Sequence, residues 1–316
     1  MLKLKKIVAV VTTCLLVLSL SACLPKENTE KSSKETLNIG AINSIDVLPI
    51  VIANEKGFFE KNDVKVNFQP FKSAKDRDTA FQSENLDGII CDLIAICLYQ
   101  NADFDVKITG ITDGDFMLIA SAKSGIKTVS DIKGASVAIS EKTAIEYTLD
   151  RILENNSLAP KDVEKTMVPA VPTRLEMLRN NKVDAALLPE PFATMALDDG
   201  GVLLGSANTL ASYPSLTAFT QKSIEEKSSQ IKAFYKAYNE AVDYINATAI
   251  SEYEAIVMST LGYPEEMKGK ITLPEFRKNI LPLIDEVMSA IEWTKNNELV
   301  KKTLNPEDLI SDIGVK

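Results

Sequence analysis

Histidine is absent from all 316 residues. That removes the side chain most used for acid–base work near neutral pH, and the commonest zinc ligand with it. Ser-His-Asp and Cys-His chemistry is excluded, and neither a metal centre nor a cofactor is expected. Cysteine is scarce: there are four, and Cys14 and Cys23 both belong to the first 23 residues. The other two, Cys91 and Cys97, lie in the apolar run GIICDLIAICLY and read as buried free thiols. Their spacing does not demand a disulfide, though a pairing stays open. The single tryptophan, Trp293, falls in a helical tail and reads as core. Positive charge is in deficit, with 35 Lys and Arg against 44 Asp and Glu and a net charge of −9. No compact basic patch offsets this, so nucleic acid and anionic lipid surfaces are poor partners.

What is present begins with MLKLKK and an apolar stretch from Ile7 to Leu20. Three lysines followed by an apolar run shorter than the roughly 20 residues of a spanning helix describe an export signal. It ends in Leu20-Ser21-Ala22-Cys23, which resembles the lipobox of bacterial lipoproteins. Residues 1–22 are therefore expected to be a lipoprotein signal peptide, with Cys23 the lipidated residue. Removing 22 residues from 316 leaves 294 and takes three lysines away, so the charge falls from −9 to −12. Residues 23–36 are polar and aperiodic, and read as a flexible tether. The expected location is the extracytoplasmic face of the cell membrane, reached through the lipid anchor only.

The remainder is long enough for two domains and is globular in composition. Strand and helix signals alternate. Leu37–Asn43, Val64–Phe68, Gly88–Cys91 and Lys107–Ile111 read as strands. Helices are expected over Val47–Lys56, stopping at Gly57, and from Ser73 to about Gln82, with Ser73 and Asp76 forming a capping box. Asp92 is placed to cap a further helix. Strands follow at Phe116–Ser121, Ser136–Ile139, Thr166–Val168 and Ala185–Leu188, with helices at Thr143–Asn155 and Pro172–Asn181. From Ser223, where Glu226 completes a second expected capping box, the pattern is helical. Ile231, Phe234, Tyr235, Tyr238, Val242 and Ile245 make a core stripe. Further helices are expected near Glu252–Leu261, Pro274–Asn279 and Leu281–Asn296. Alternation of this kind implies an α/β protein with open, mostly parallel sheets and helices on both faces.

Four stretches carry a family resemblance: LPIVIANEKGFFEKNDVKVNF at 48–68, SAKDRDTAFQSENLDGIICD at 73–92, SGIKTVSDIKGASVAIS at 124–140 and RLEMLRNNKVDAALLPEPFATMA at 174–196. In this order they resemble the substrate-binding proteins of ABC importers, in the branch for nitrate, sulfonates, taurine and thiamine-precursor pyrimidines. The resemblance implies a two-lobed periplasmic-binding-protein, or venus-flytrap, fold with a helical C-terminal segment. Residues 37–114 plus 215–316 would form lobe one and 115–214 lobe two. The chain would cross near Thr112–Phe116 and return near Tyr213–Thr217. It also implies a monomer that captures a small-molecule ligand by lobe closure and delivers it to an ABC permease and its ATPase. A sensor for a signalling receptor is the alternative. A thiamine-pyrimidine-synthase-like enzyme is a further one, although those enzymes depend on histidine and a cysteine-rich motif.

Open α/β folds bind ligands at the carboxyl ends of their strands, where helix N-termini leave backbone donors free. That places Asn43, Ser44, Asp46, Ser73 and Asp92 at the cleft from lobe one. Asp115, Ser140, Thr143, Glu190 and Tyr213 are placed there from lobe two. Several of them have an equal claim as helix caps, Asp92 above all. Glu190, held between two prolines, is expected to turn its carboxylate toward the ligand. Phe71, Phe116 and Phe192 are further candidates to line the site, with Lys72, Lys75, Arg77 and Lys142 as nearby cations. The mixture of acids and cations suits a polar organic solute, either an aminosulfonate or a heterocycle.

Overall fold

The computed structural model describes residues 36–210 and 213–316. The export signal, most of the tether and Cys23 lie outside the described residues. Two five-stranded sheets organise the chain, one per lobe. The first is built from β1 (Thr36–Ile42), β2 (Lys65–Phe71), β3 (Gly88–Asp92) and β4 (Val106–Ile111), with helices α1 (Leu48–Glu55), α2 (Phe58–Lys61), α3 (Ala74–Gln82) and α4 (Leu93–Asn101). The chain then crosses to β5 (Phe116–Ala120), β6 (Ser136–Ile139), α5 (Ala144–Asn155), β7 (Glu164–Met167), α6 (Val171–Arg179), β8 (Ala185–Pro189), α7 (Phe192–Asp198) and β9 (Val202–Ser206). It returns as β10 (Ser215–Thr220) and ends in α8 (Gln221–Glu226), α9 (Ser228–Ala247), α10 (Glu254–Leu261) and α11 (Ile284–Asn296).

Strand order is β2-β1-β3-β10-β4 in one sheet and β7-β6-β8-β5-β9 in the other. One strand in each runs against its neighbours: β10 is antiparallel to β3 and β4, and β5 is antiparallel to β8 and β9. These reversed strands flank the two crossings of the chain. The central strands are buried along their whole length, GIICD in β3, AALLP in β8 and SLTAFT in β10. This is the pattern of strands covered on both faces. The sequence pattern had not marked β9 or β10 as strands.

The two halves repeat a construction. In lobe one, Asp87 donates its N–H to the Asn38 carbonyl, and its carboxylate accepts from Asn38 N, both at 2.8 Å. In lobe two, Asp184 donates to the Ser136 carbonyl at 3.0 Å, and its carboxylate accepts from Ser136 N at 2.9 Å. Each aspartate thus ties the start of β3 or β8 to the start of β1 or β6.

The tail departs from expectation twice. No helix forms over Pro274–Asn279. Side chains take the amides that a helix would have used: Asn246 accepts from Phe276 N, Asp113 from Arg277 N and Asn239 from Asn279 N. Asn246 also donates to the Phe276 carbonyl at 2.6 Å. The expected capping box at Ser223 is absent as well. The helix starts a turn earlier, where Thr220 Oγ1 accepts from Ser223 N at 3.0 Å. The Ser223 hydroxyl is instead engaged with Thr220 and with Asp87. The core stripe of α9 is buried as its spacing implies, packing onto α1 and α2.

Candidate functional site

The lobes touch across the cleft. Ile45 N donates to the Glu190 carbonyl and Val171 N to the Lys72 carbonyl, each at 3.3 Å. Between these contacts lies a cavity of about 50 Å³. Its lobe-one wall carries Ser44, Asp46, Arg77, Cys91, Asp92 and Ser215, and its lobe-two wall carries Phe116, Ser140, Thr143, Ala144, Pro169 and Arg174. The walls come from the carboxyl ends of β1, β3, β6 and β8 and from the N-terminal turns of α3, α5 and α6. Helix N-termini present free N–H groups and a positive dipole end to the space between them.

Lobe one supplies the acids. Asp46 is buried and accepts from the Ser44 hydroxyl and, at 2.9 Å, from the Ser215 hydroxyl. Burial raises its carboxyl above the usual range, against these hydrogen bonds. Asp92 caps α4 by accepting from Ala95 N at 2.9 Å. Its carboxyl is also raised by burial, opposed by Arg77 and by the N–H groups of Ala95 and of Ala144 across the cleft. Arg77 is buried between them. It donates from Nη1 to the Ile90 carbonyl at 2.9 Å and from Nε to Asp78 at 2.8 Å. Burial alone would lower its pKa; Asp78, Tyr99, Cys91 and Asp92 outweigh that and raise it. One guanidinium thus sits among three carboxylates, and this wall is acidic on balance.

Lobe two supplies the opposite. Arg174 is 1% exposed. Its Nη1 donates to the Leu187 carbonyl, its Nε to Val168 at 3.1 Å and its Nη2 to Pro169 at 3.4 Å. No carboxylate pairs with it among the described residues. Burial pushes its pKa down to about 9, so it stays charged at neutral pH. A guanidinium has five N–H donors, and the three carbonyls engage one at each nitrogen. A buried charge without a counter-ion is costly, and here it lines a cavity. The arrangement is prepared for an anion able to accept from a planar, charged donor.

Of the residues placed at the cleft from sequence, Ser44, Asp46, Asp92, Ser140 and Thr143 line this cavity. Asn43, Ser73, Asp115, Glu190 and Tyr213 do not. Asn43 donates to the Thr260 carbonyl. Ser73 caps α3 and bonds both the amide and the carboxylate of Asp76. Asp115 accepts from Ser206 Oγ and Asn208 N. Glu190 differs most from expectation. Its two oxygens accept from Thr194 N at 3.0 Å and Thr194 Oγ1 at 2.7 Å, so the carboxylate serves the first turn of α7. Burial raises its pKa against those bonds. Tyr213 packs on Phe116, with ring centroids 4.9 Å apart, and its hydroxyl is bonded to Ser215 on the cavity wall, though it does not itself line the cavity. Phe71 and Phe192 lie off the wall, as do Lys72, Lys75 and Lys142, leaving Phe116 and Arg77 from those two sets. Arg174 was missed. The signal was available: Arg77 stands ten residues before Asp87, and Arg174 stands ten before Asp184.

Cys91 and Cys97 are both free and buried. The Cys91 thiol, though on the wall, is pushed well up by burial, so it carries no thiolate at neutral pH.

Residues 30–259 match the NMT1-like family. The match spans well over half of the chain, which belongs to that family. An aliphatic sulfonates-binding protein of Escherichia coli is 25% identical over 287 residues, covering 87% of this chain and 88% of that protein. A second, from Bacillus subtilis, is 25% identical over 222 residues. That match covers 67% of this chain and spans 65% of the relative's length. Among solved structures, the periplasmic aliphatic sulphonate binding protein SsuA from E. coli superposes with a TM-score of 0.73 at 20% identity, covering 88% of this chain and 92% of that one. The fold is therefore the two-lobed α/β fold of periplasmic binding proteins, with its helical C-terminal segment.

Proposed function

We propose that the protein is the extracytoplasmic solute-binding component of an ABC importer, and that it captures a small aliphatic sulfonate between its lobes. The observation that carries this is Arg174: a buried guanidinium without a carboxylate partner among the described residues, lining the inter-lobe cavity. A sulfonate supplies the missing negative charge and three oxygens to accept its free N–H groups. The acidic wall opposite, with Asp46 and Asp92, favours a solute whose other end donates, and an aminosulfonate has that polarity. The names of the relatives support the sulfonate reading.

The wall offers no activated nucleophile, since its one thiol is held protonated and the chain has no histidine. We therefore read it as a capture site and not a catalytic one. The permease and ATPase are the implied partners, the protein acts as a monomer, and the anchor at Cys23 holds it to the membrane. No helix among the described residues is long and apolar enough to cross a membrane. A thermal-shift series with taurine, ethanesulfonate, nitrate and an aminopyrimidine tests the assignment. A ligand that binds only the folded state raises the melting point by mass action. Taurine or ethanesulfonate should raise it, and a response to the pyrimidine alone would overturn the reading.

A further inference from the structure

The lobes meet at a second place, outside the cavity. Helix α5 begins at the wall with Thr143 and Ala144, and side chains further along it reach lobe one's α11. Tyr147 and Asp150, one and two turns further on, face that helix. The Tyr147 hydroxyl is 2.9 Å from Ser289 Oγ, and its ring meets Trp293 edge-on, with centroids 5.7 Å apart and planes at 89°. Trp293 Nε1 donates to Asp150 Oδ2 at 3.1 Å. All three side chains are buried: Tyr147 is 4% exposed, Trp293 3% and Asp150 1%. Tyr147, a lobe-two residue, packs within a hydrophobic cluster otherwise drawn from lobe one, including Val287 and Ala290.

The geometry points to a closure latch: Tyr147, Asp150 and Trp293 hold the lobes together at a distance from the ligand and set how much of the protein is closed. Lys165 makes the latch reversible. Its Nζ lies 2.8 Å from Asp150 Oδ1 and 2.8 Å from Glu146 Oε1, and all three residues belong to lobe two. When the lobes part, Asp150 keeps its cation and loses only the indole. A carboxylate left buried and unpaired would resist separation far more strongly. Tyr147 and Trp293 meanwhile pass from a dry contact into water, so the latch favours the closed form through apolar area and one hydrogen bond. They are positioning residues that touch no ligand. They act through the population of the binding-competent form, since apparent affinity falls in proportion to the closed fraction.

The chain's only tryptophan is part of the latch, so its fluorescence reads the state directly. The test uses the purified protein without ligand and compares it with Tyr147→Ala and with Tyr147→Phe, which removes only the hydroxyl. Acrylamide quenching of Trp293, the radius of gyration from small-angle scattering and a melting curve are measured together. Tyr147→Ala should quench more readily and give a larger radius while keeping a single cooperative melt. Tyr147→Phe should lie between it and the parent. Identical quenching and radius across the three proteins would overturn the latch and make this contact a fixed joint. A taurine titration forms a separate arm, the only one that rests on the solute-binding reading. If taurine binds, Tyr147→Ala should weaken it by roughly threefold to tenfold. Unchanged affinity beside increased quenching would show that closure at this contact does not limit binding, and would also overturn the proposal. If taurine does not bind, the ligand-free measurements still decide the latch while the sulfonate reading fails alone.

Discussion

Arg77 and Arg174 make the same contact in the two lobes: each donates from Nη1 to a strand carbonyl thirteen residues on, Ile90 in β3 and Leu187 in β8. They differ in the next residue. Asp78 neutralises Arg77, whereas Leu175 follows Arg174 and packs into the apolar core. One construction used twice has thereby become a cavity with an acidic wall and a cationic one.

Removing the cation should remove anion binding. Arg174→Met keeps much of the length and none of the charge. Losing charge-assisted hydrogen bonds worth roughly 1.5–3 kcal/mol weakens binding by about tenfold to a hundredfold. Titration calorimetry with taurine or ethanesulfonate checks this, and Arg174→Lys should recover only part of the loss because the planar fork is gone. A melting point close to the parent's would show that the loss is one of recognition.

Glu190 should matter to stability more than to ligand. Glu190→Ala strips the acceptor from Thr194 N and Oγ1. Roughly 1 kcal/mol of stability should go with it. Thr194→Val tests the pairing, since the double variant should cost less than the two single changes added together. A large loss of affinity with unchanged unfolding would return Glu190 to the ligand.

Mild acid should stabilise the ligand-free protein. Burial raises the carboxyl pKa values of Asp46, Asp92, Asp115 and Asp150 above 3.8, and that of Glu190 above 4.5. A carboxyl raised by folding binds its proton at a higher pH in the folded form. Its contribution is complete below the unfolded value and is lost as pH rises through the folded value. The melting point should therefore climb as pH falls from neutrality through the folded values toward about 4, the unfolded carboxyl range, and Asp46→Asn should flatten that climb. A steady fall over the same range would contradict the assignment.

The anchor is checked on whole cells. Cys23→Ser should release the protein to the medium or leave it with its export signal attached. A variant still processed and still extracted only by detergent would place the anchor elsewhere.

Much of the order of strands and helices, β9 and β10 excepted, was legible because it rests on short-range rules. Apolar spacing set α9, Gly57 left helix α1 through a positive φ of 72°, and Ser73, Asp92 and Thr143 cap the helices they precede. The spacing of ten from Arg77 to Asp87 and from Arg174 to Asp184 was also in the sequence, along with the lack of histidine. Tertiary structure decided the rest, because it depends on what distant segments bring near. Phe276–Asn279 has helical composition, but side chains from Asp113, Asn239 and Asn246 take its amides. Glu190 looked free until Thr194 turned back to meet it. Whether an arginine is paired is a property of its surroundings in space. The chain places an acid beside Arg77 and a leucine beside Arg174, but only the packing of the lobes shows that no other carboxylate among the described residues reaches Arg174. Its charge is left facing the cavity.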